Sequence, residues 1–258
     1  MVTERADYAR LAGGFVLHSA PGFPAYPVRL AQELFLRGLS HLPDRPVTLW
    51  DPCCGSAYLV TVAGLLGREH LRAVLASDVD PAAIELAEKN LALLAPGGLD
   101  RRAEELRARH VEFGKAVHAE AAEAAELLDR QLAGHGGPVT ATAAVADLFD
   151  TASLRRVLPD PAPDLVLADV PYGRQVRWSG AVPEDVDPVR AAVACLCSVL
   201  DDHAVLAITA EARKITLGAG SVVLERFRIG TRAGVVARVG DLRLAGRAEA
   251  GCRRARDQ

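Results

Sequence analysis

Four aspartates close four short apolar runs: Asp51 after VTLW, Asp78 after AVLAS, Asp147 after TAAVA and Asp169 after LVLA. A carboxylate can accept two hydroxyl hydrogens at once, take a proton, or cap a helix. One such residue alone reads as a cap; four at the ends of successive runs read as one rim, where open α/β sheets bind their ligands. The first opens the loop DPCCGSAYL, residues 51–59. Asp51, Pro52, Cys53, Cys54, Gly55 and Ser56 would present backbone N–H groups and a helix start to that ligand. Asp78, with Val79 beside it, follows at about the interval at which an acidic residue grips ribose hydroxyls.

The loop is poor in glycine. A dinucleotide pyrophosphate needs G-x-G-x-x-G, and only Gly55 is present; no G-x-x-x-x-G-K-[ST] phosphate loop occurs in the chain. A ligand with a ribose and no phosphate is therefore indicated, and S-adenosylmethionine is the common one. Its adenine is expected near Asp147 and Leu148, and its methionine end along Cys53–Ser56. Ala57 has a Cβ that disfavours positive φ, so the loop is expected to enter its helix through ordinary backbone space.

The elements that must hold this rim are legible in the pattern. Apolar runs at 47–50, 73–76, 139–145, 164–168, 203–208 and 234–239 are mostly followed by helix-like segments. That alternation specifies a parallel sheet with helices on both faces. Pro81 suits the first turn of the helix AAIELAEKNLALL, and ERFRIG with GVVARV predicts an antiparallel hairpin at one edge. Residues 1–45 read as an N-terminal helical extension with Leu30, Leu34, Phe35, Gly38 and Leu39 at helical spacing. The main domain is expected over 46–240, interrupted by a helical insert at about 96–138, with helices near 99–110 and 112–133. A basic tail fills 241–258.

Of the 258 residues 50% are apolar and 24% charged, as in a soluble globular protein, and the net charge of −3 argues neither for nor against nucleic acid. The five cysteines include no C-x-x-C pair, so no metal or redox centre is expected; Cys53 and Cys54 read as small buried thiols. No apolar run is long enough to span a membrane, and the charged start MVTERADYARLAGG lacks a secretory apolar stretch, which points to the cytoplasm.

The order DPCCGS, SDVDP, ADLFD, DVPYG resembles motifs one to four of class I methyltransferases that act on nucleic-acid bases. DVPYG is a variant of the [DN]-P-P-[YF] tetrad found where base nitrogens are methylated. More closely, nearly the whole chain resembles the avilamycin-type (orthosomycin) resistance methyltransferase family of actinomycetes, which methylates a guanine of large-subunit ribosomal RNA. The stretch FPAYPVRLAQELFLRGL, the insert, DVPYG and the ending EARKI…RFRIGTRAGVVARV carry that likeness.

The resemblance implies a Rossmann-like three-layer sandwich, a seven-stranded mostly parallel sheet with a C-terminal antiparallel hairpin. It implies S-adenosyl-L-methionine as cofactor, 23S ribosomal RNA or a ribosomal particle as partner, and antibiotic resistance as the outcome; the sequence does not set the oligomeric state, with a monomer favoured. Asp169, Pro171 and Tyr172 become the catalytic residues. Guanine's Watson–Crick edge carries N1–H and an amine, which the Asp169 carboxylate and the carbonyls of Val170 or Pro171 can accept. Asp169 could then take the departing proton as general base, while Tyr172, and Trp178 after it, offer rings to an extruded base. Arg174, Arg177, Arg213, Lys214 and Arg232 are assigned to RNA phosphates. Val170 stands where the tetrad has proline, which fits an atypical acceptor such as N1. Competing readings keep the cofactor but make the substrate other RNA, DNA or protein, or leave a non-catalytic binding protein on the same scaffold. A dehydrogenase is the weakest, for want of pyrophosphate glycines.

Overall fold

The computed structural model describes residues 11, 16–23, 25–132, 139–170, 178, 180, 186–218 and 220–246. The first element with described bounds is α1 (Val28–Leu39), followed by β1 (Val47–Asp51), α2 (Tyr58–Leu66), β2 (Leu71–Asp78) and α3 (Pro81–Leu91). The insert supplies α4 (Gly98–Phe113) and α5 (Ala116–Leu132), close to its expected bounds. Then come β3 (Thr140–Val145), α6 (Thr151–Val157), β4 (Leu165–Asp169), α7 (Pro188–Val199), β5 (Val205–Ala210), β6 (Glu225–Ile229) and β7 (Arg232–Arg238). The chain is helical again from 239 to 246, so order continues into the segment expected as a tail. Among the described residues no helix is long and apolar enough to cross a membrane.

The seven strands lie in the order β3-β2-β1-β4-β5-β7-β6. Every pairing from β3 through β5 is parallel, while β7 runs antiparallel to β5 and to β6. Successive strand residues point to opposite faces, and here each face has its own core. Leu49, Leu165, Leu167, Val205 and Ala207 pack with α1 to α5; Trp50, Val166, Ala168, Leu206 and Ile208 pack with α6, α7 and Leu242. This is why the runs read as unbroken apolar stretches rather than alternating ones.

The N-terminal extension belongs to the same core. Val28, Leu30, Ala31, Leu34, Phe35 and Gly38 form the buried stripe of α1, spaced three or four residues apart. At Gly38 the helix comes so near β4 that a Cβ would lie 2.6 Å from the Leu165 Cδ1. Asp80 caps α3 by accepting from the Ala82 N–H at 2.9 Å, with Pro81 in the first turn as expected. These helices fix the sheet; the sheet fixes the ends of β1, β2 and β4.

Candidate active site

Strand order departs in opposite directions from β1 and β4, so a crevice opens beyond their carboxyl ends. A cavity of about 350 Å³ occupies it. Asp51 ends β1 and Asp169 ends β4, so the switch point itself sets two carboxylates on the cavity wall. Asp78 joins them from β2.

The loop after β1 is held in shape by those same residues. The Cys53 N–H donates to Asp51 Oδ1 at 3.2 Å, the Gly55 N–H to Asp78 Oδ2 at 2.9 Å, and the Cys54 N–H to the Ser77 carbonyl at 3.0 Å. Each carboxylate oxygen has two lone pairs, so acceptor capacity remains for a ligand. Gly55 has φ +52° and Ala57 has φ +55°, ψ +24°. The expectation for Ala57 is overturned: the chain enters α2 through left-handed backbone. That geometry costs an L-residue about 1–2 kcal/mol. Full burial of Ala57 and its N–H bond to the Cys54 carbonyl at 2.8 Å hold it there.

Charge in the cavity is unevenly compensated. Asp51 is 2% exposed. Burial pushes its carboxyl well above the usual range; the Cys53 N–H opposes this, and Asp78 and Asp169 add to it. Burial also raises Asp169, outweighing Arg232 and Thr209, which pull it down. Arg232 Nη1 sits 2.7 and 2.8 Å from the two Asp169 oxygens, and the Thr209 hydroxyl donates to Oδ1 at 2.8 Å. Thr209 Oγ1 is 2.9 Å from the Tyr26 hydroxyl, and the Arg232 guanidinium lies 5.5 Å from the Tyr26 ring centre. Burial, then the charge of Asp51, pushes the Cys53 and Cys54 thiols well up, so both stay neutral. Neutral thiols are inert as redox nucleophiles.

Every loop residue from Asp51 to Ser56 lines the cavity, as do Asp78, Val79, Leu148 and Asp169. Asp147 is placed differently. Its Oδ1 accepts from the Phe149 N–H at 2.9 Å and its carboxylate packs against Gly180, while Ala146 and Leu148 form the wall. Trp178 lines the cavity edge-on to Phe149, ring centres 5.3 Å apart. Arg213 and Lys214 are exposed just beyond β5. Arg232, expected on RNA, is committed to Asp169 instead. Pro171, Tyr172, Arg174 and Arg177 lie outside the described residues. Val170 explains its own departure from proline: its N–H donates to the Thr209 carbonyl at 2.8 Å, a bond that proline lacks the hydrogen to make.

The sequence reading missed Gly22, Phe23 and Tyr26, which bring an N-terminal strap to the cavity, and Thr209 behind Asp169. The aromatic residues of PGFPAYP were the available signal for the strap. Asn90, fully buried, was missed as well; its amide donates to the Ser56 carbonyl at 2.9 Å.

A family model described as rRNA methyltransferase AviRa matches residues 1–232. The chain belongs to the AviRa rRNA methyltransferase family. A curated AviRa-like relative from Streptomyces viridochromogenes, named 23S rRNA (guanine(2535)-N(1))-methyltransferase, is 53% identical over 244 residues, 94% of this chain and 96% of its own. Two solved structures of the rRNA methyltransferase aviRa from the same organism, at 1.5 Å and 2.4 Å, superpose with a TM-score of 0.85. They share 53% identity over 94% of this chain and 97% of theirs. The fold is that of class I S-adenosylmethionine-dependent methyltransferases, with the antiparallel C-terminal strands expected of it. Among the described residues that line the cavity, Asp51, Asp78 and Asp169 face one guanidinium, that of Arg232, beside neutral thiols, which suits a ligand that brings positive charge and hydroxyl hydrogens, as S-adenosylmethionine does.

Proposed function

We propose that this chain methylates N1 of a guanine in 23S ribosomal RNA, with S-adenosylmethionine as donor, and thereby protects the ribosome from an avilamycin-type antibiotic. The observation that carries the reading is the Asp169 carboxylate: half-buried, oriented by Arg232 and Thr209, and set on the same cavity as the Asp51–Ser56 loop. The relative named for guanine-N1 methylation shares 53% of its residues with this chain.

When bound, S-adenosylmethionine supplies an electrophilic methyl on a positively charged sulfur. Asp78 would hold the ribose hydroxyls, and the Cys53–Ser56 loop the methionine end; Ala146, Leu148 and Trp178 would enclose the adenine. Asp169 accepts the guanine N1 proton, leaving N1 with the lone pair that transfer requires. Arg232 and Thr209 fix which carboxylate lone pair faces the cavity. The Arg232 charge also opposes the upward push of burial on the Asp169 carboxyl. Arg213 and Lys214, exposed at the same sheet edge, suit RNA phosphates. Pro171 and Tyr172 complete the assignment as partners of the extruded base, with Arg174 and Arg177 on the backbone.

The test is incubation with methyl-labelled cofactor and deproteinised ribosomal RNA, followed by primer extension. A reverse-transcription stop at one 23S guanine is expected. Label without a stop would move the acceptor off N1, and no label in any RNA or ribosomal particle would end the reading.

A further inference from the structure

A second cavity, of about 310 Å³, lies on the other side of the N-terminal strap. Strap residues 17–20 form one wall; α3, α4 and α5 form the rest. Lys89 from α3, Arg102 and Arg109 from α4, and the imidazoles of His18 and His118 all line it. Among the described residues a carboxylate also faces them, that of Glu105, 2.8 Å from Arg102 Nη1, 2.9 Å from Arg109 Nη2 and 4.0 Å from His18 Nε2. The lining is thus rich in basic groups.

His18 feels both the enclosure and the charges around it. Burial first, then Arg102, Arg109 and Lys89 against the opposing Glu105, bring its pKa down to about 4. One of its cations, Arg102, is also held in place. Arg102 is 5% exposed, and its Nε donates to the Val16 carbonyl at 2.8 Å. His118 Nδ1 is buried with no hydrogen-bond partner among the described residues. A guanidinium held by backbone binds an anion with little side-chain entropy left to lose.

We propose that this cavity binds phosphate, and that its occupant is a backbone phosphate of the RNA substrate near the target guanine. The RNA assignment rests on the function proposed above. Two observations favour RNA over a free anion. Ala20 walls this cavity and Gly22, two residues along the strap, walls the active site, so the two cavities adjoin the same short stretch of chain. Furthermore, Asn90 accepts from the His18 N–H at 2.7 Å and donates both to the His18 carbonyl at 3.0 Å and to the Ser56 carbonyl at 2.9 Å. One buried amide therefore ties the phosphate cavity to the cofactor loop. The insert helices, which a minimal sheet does not require, become the wall of a second substrate contact.

Lys89 and Arg109 reach the surface, so their reversal should spare folding. In a Lys89→Glu, Arg109→Glu variant, affinity for deproteinised 23S ribosomal RNA is expected to fall about tenfold at moderate salt. The slope of log K against log[salt] should become shallower by about one, the signature of a lost phosphate contact. Reversal of exposed Lys115, outside the cavity, should leave that slope in place, and S-adenosylmethionine affinity should not change in either variant. Inorganic phosphate should shift the ring signals of His18 and His118 by NMR in the native protein and not in the double variant. An unchanged slope in the double variant overturns the RNA assignment. If inorganic phosphate still shifts the ring signals in that case, the cavity serves a free anion. If it shifts neither ring in the native protein, there is no phosphate site. Failure of the native protein to label RNA would instead count against the catalytic reading, because the salt slope is measured without turnover.

Discussion

At the amino edge of the sheet Asp164 is 2% exposed; at the carboxyl edge Asp51 is 2% exposed as well, and the two carboxylates have opposite characters. Burial pushes Asp164 up, but the Thr48 N–H at 2.8 Å, Arg45 at 2.7 Å and Arg72 at 3.2 Å together bring it below the usual range. Asp51 has one N–H donor and two neighbouring carboxylates, and is pushed up. Asp169 is intermediate, with Arg232 and Thr209 offsetting part of its burial. The amino edge uses buried charge to clamp β1, β4 and β5. At the carboxyl edge charge is left partly uncompensated, which costs stability and leaves something for a cationic ligand and a proton to complete. Such under-satisfaction is a mark of a functional site.

Substitutions can break that contrast. The largest effect is expected at Asp169→Asn, which removes the proton acceptor: single-turnover methyl transfer should fall about 10²–10⁴-fold, with S-adenosylmethionine affinity by calorimetry nearly unchanged. Asp164→Ala should leave the buried Thr48 N–H without its acceptor, a loss of about 2–3 kcal/mol by denaturant unfolding. Arg45 and Arg72 are 43% and 45% exposed and add little. The Asp164 carboxyl is depressed in the fold, so its contribution is present above the unfolded value, about 3.9, and is lost as pH falls through the folded value. Asp51→Asn should do the reverse and stabilise the free protein by about 1 kcal/mol at neutral pH. A raised carboxyl favours the fold below its unfolded pKa and loses that advantage as pH rises, so the gain should vanish in acid. Ala57→Gly is the smallest: relief of about 1–2 kcal/mol of left-handed strain, less about 0.4–1 kcal/mol for a freer unfolded chain. A rise in Tm of a few degrees is expected, and a lowered Tm would remove the strain argument.

The scaffold was legible because most strands are apolar runs of ordinary length, three of them (β1, β2 and β4) ending in an aspartate, and because period and punctuation separate α4 from α5. The rim aspartates followed from that register. The Asp169 partners did not, for a physical reason: Arg232 reaches Asp169 only because β7 folds back antiparallel, pairing Ala233 with Ala210 beside Thr209. In sequence, Arg232 is one arginine in a basic stretch. Tyr26 likewise meets Thr209 only once α1 has packed across β4 and β5. At Ala57, local preference pointed the other way, and tertiary packing exceeded a cost of about 1–2 kcal/mol. A loop that follows left-handed backbone without a second glycine marks a position where shape is enforced from outside the loop.

The claim that charge at the carboxyl edge is left for chemistry is tested most directly by the pH dependence of single-turnover transfer in the native protein and in Arg232→Gln. The rate should fall in acid as Asp169 gains its proton, at a pH above the ordinary carboxylate value of about 3.9. Loss of the Arg232 charge removes an influence that lowers the Asp169 pKa, so the acid limb should move to higher pH while S-adenosylmethionine affinity stays within about twofold. An acid limb that stays in place, with the native rate retained, would contradict the assignment of proton transfer to Asp169.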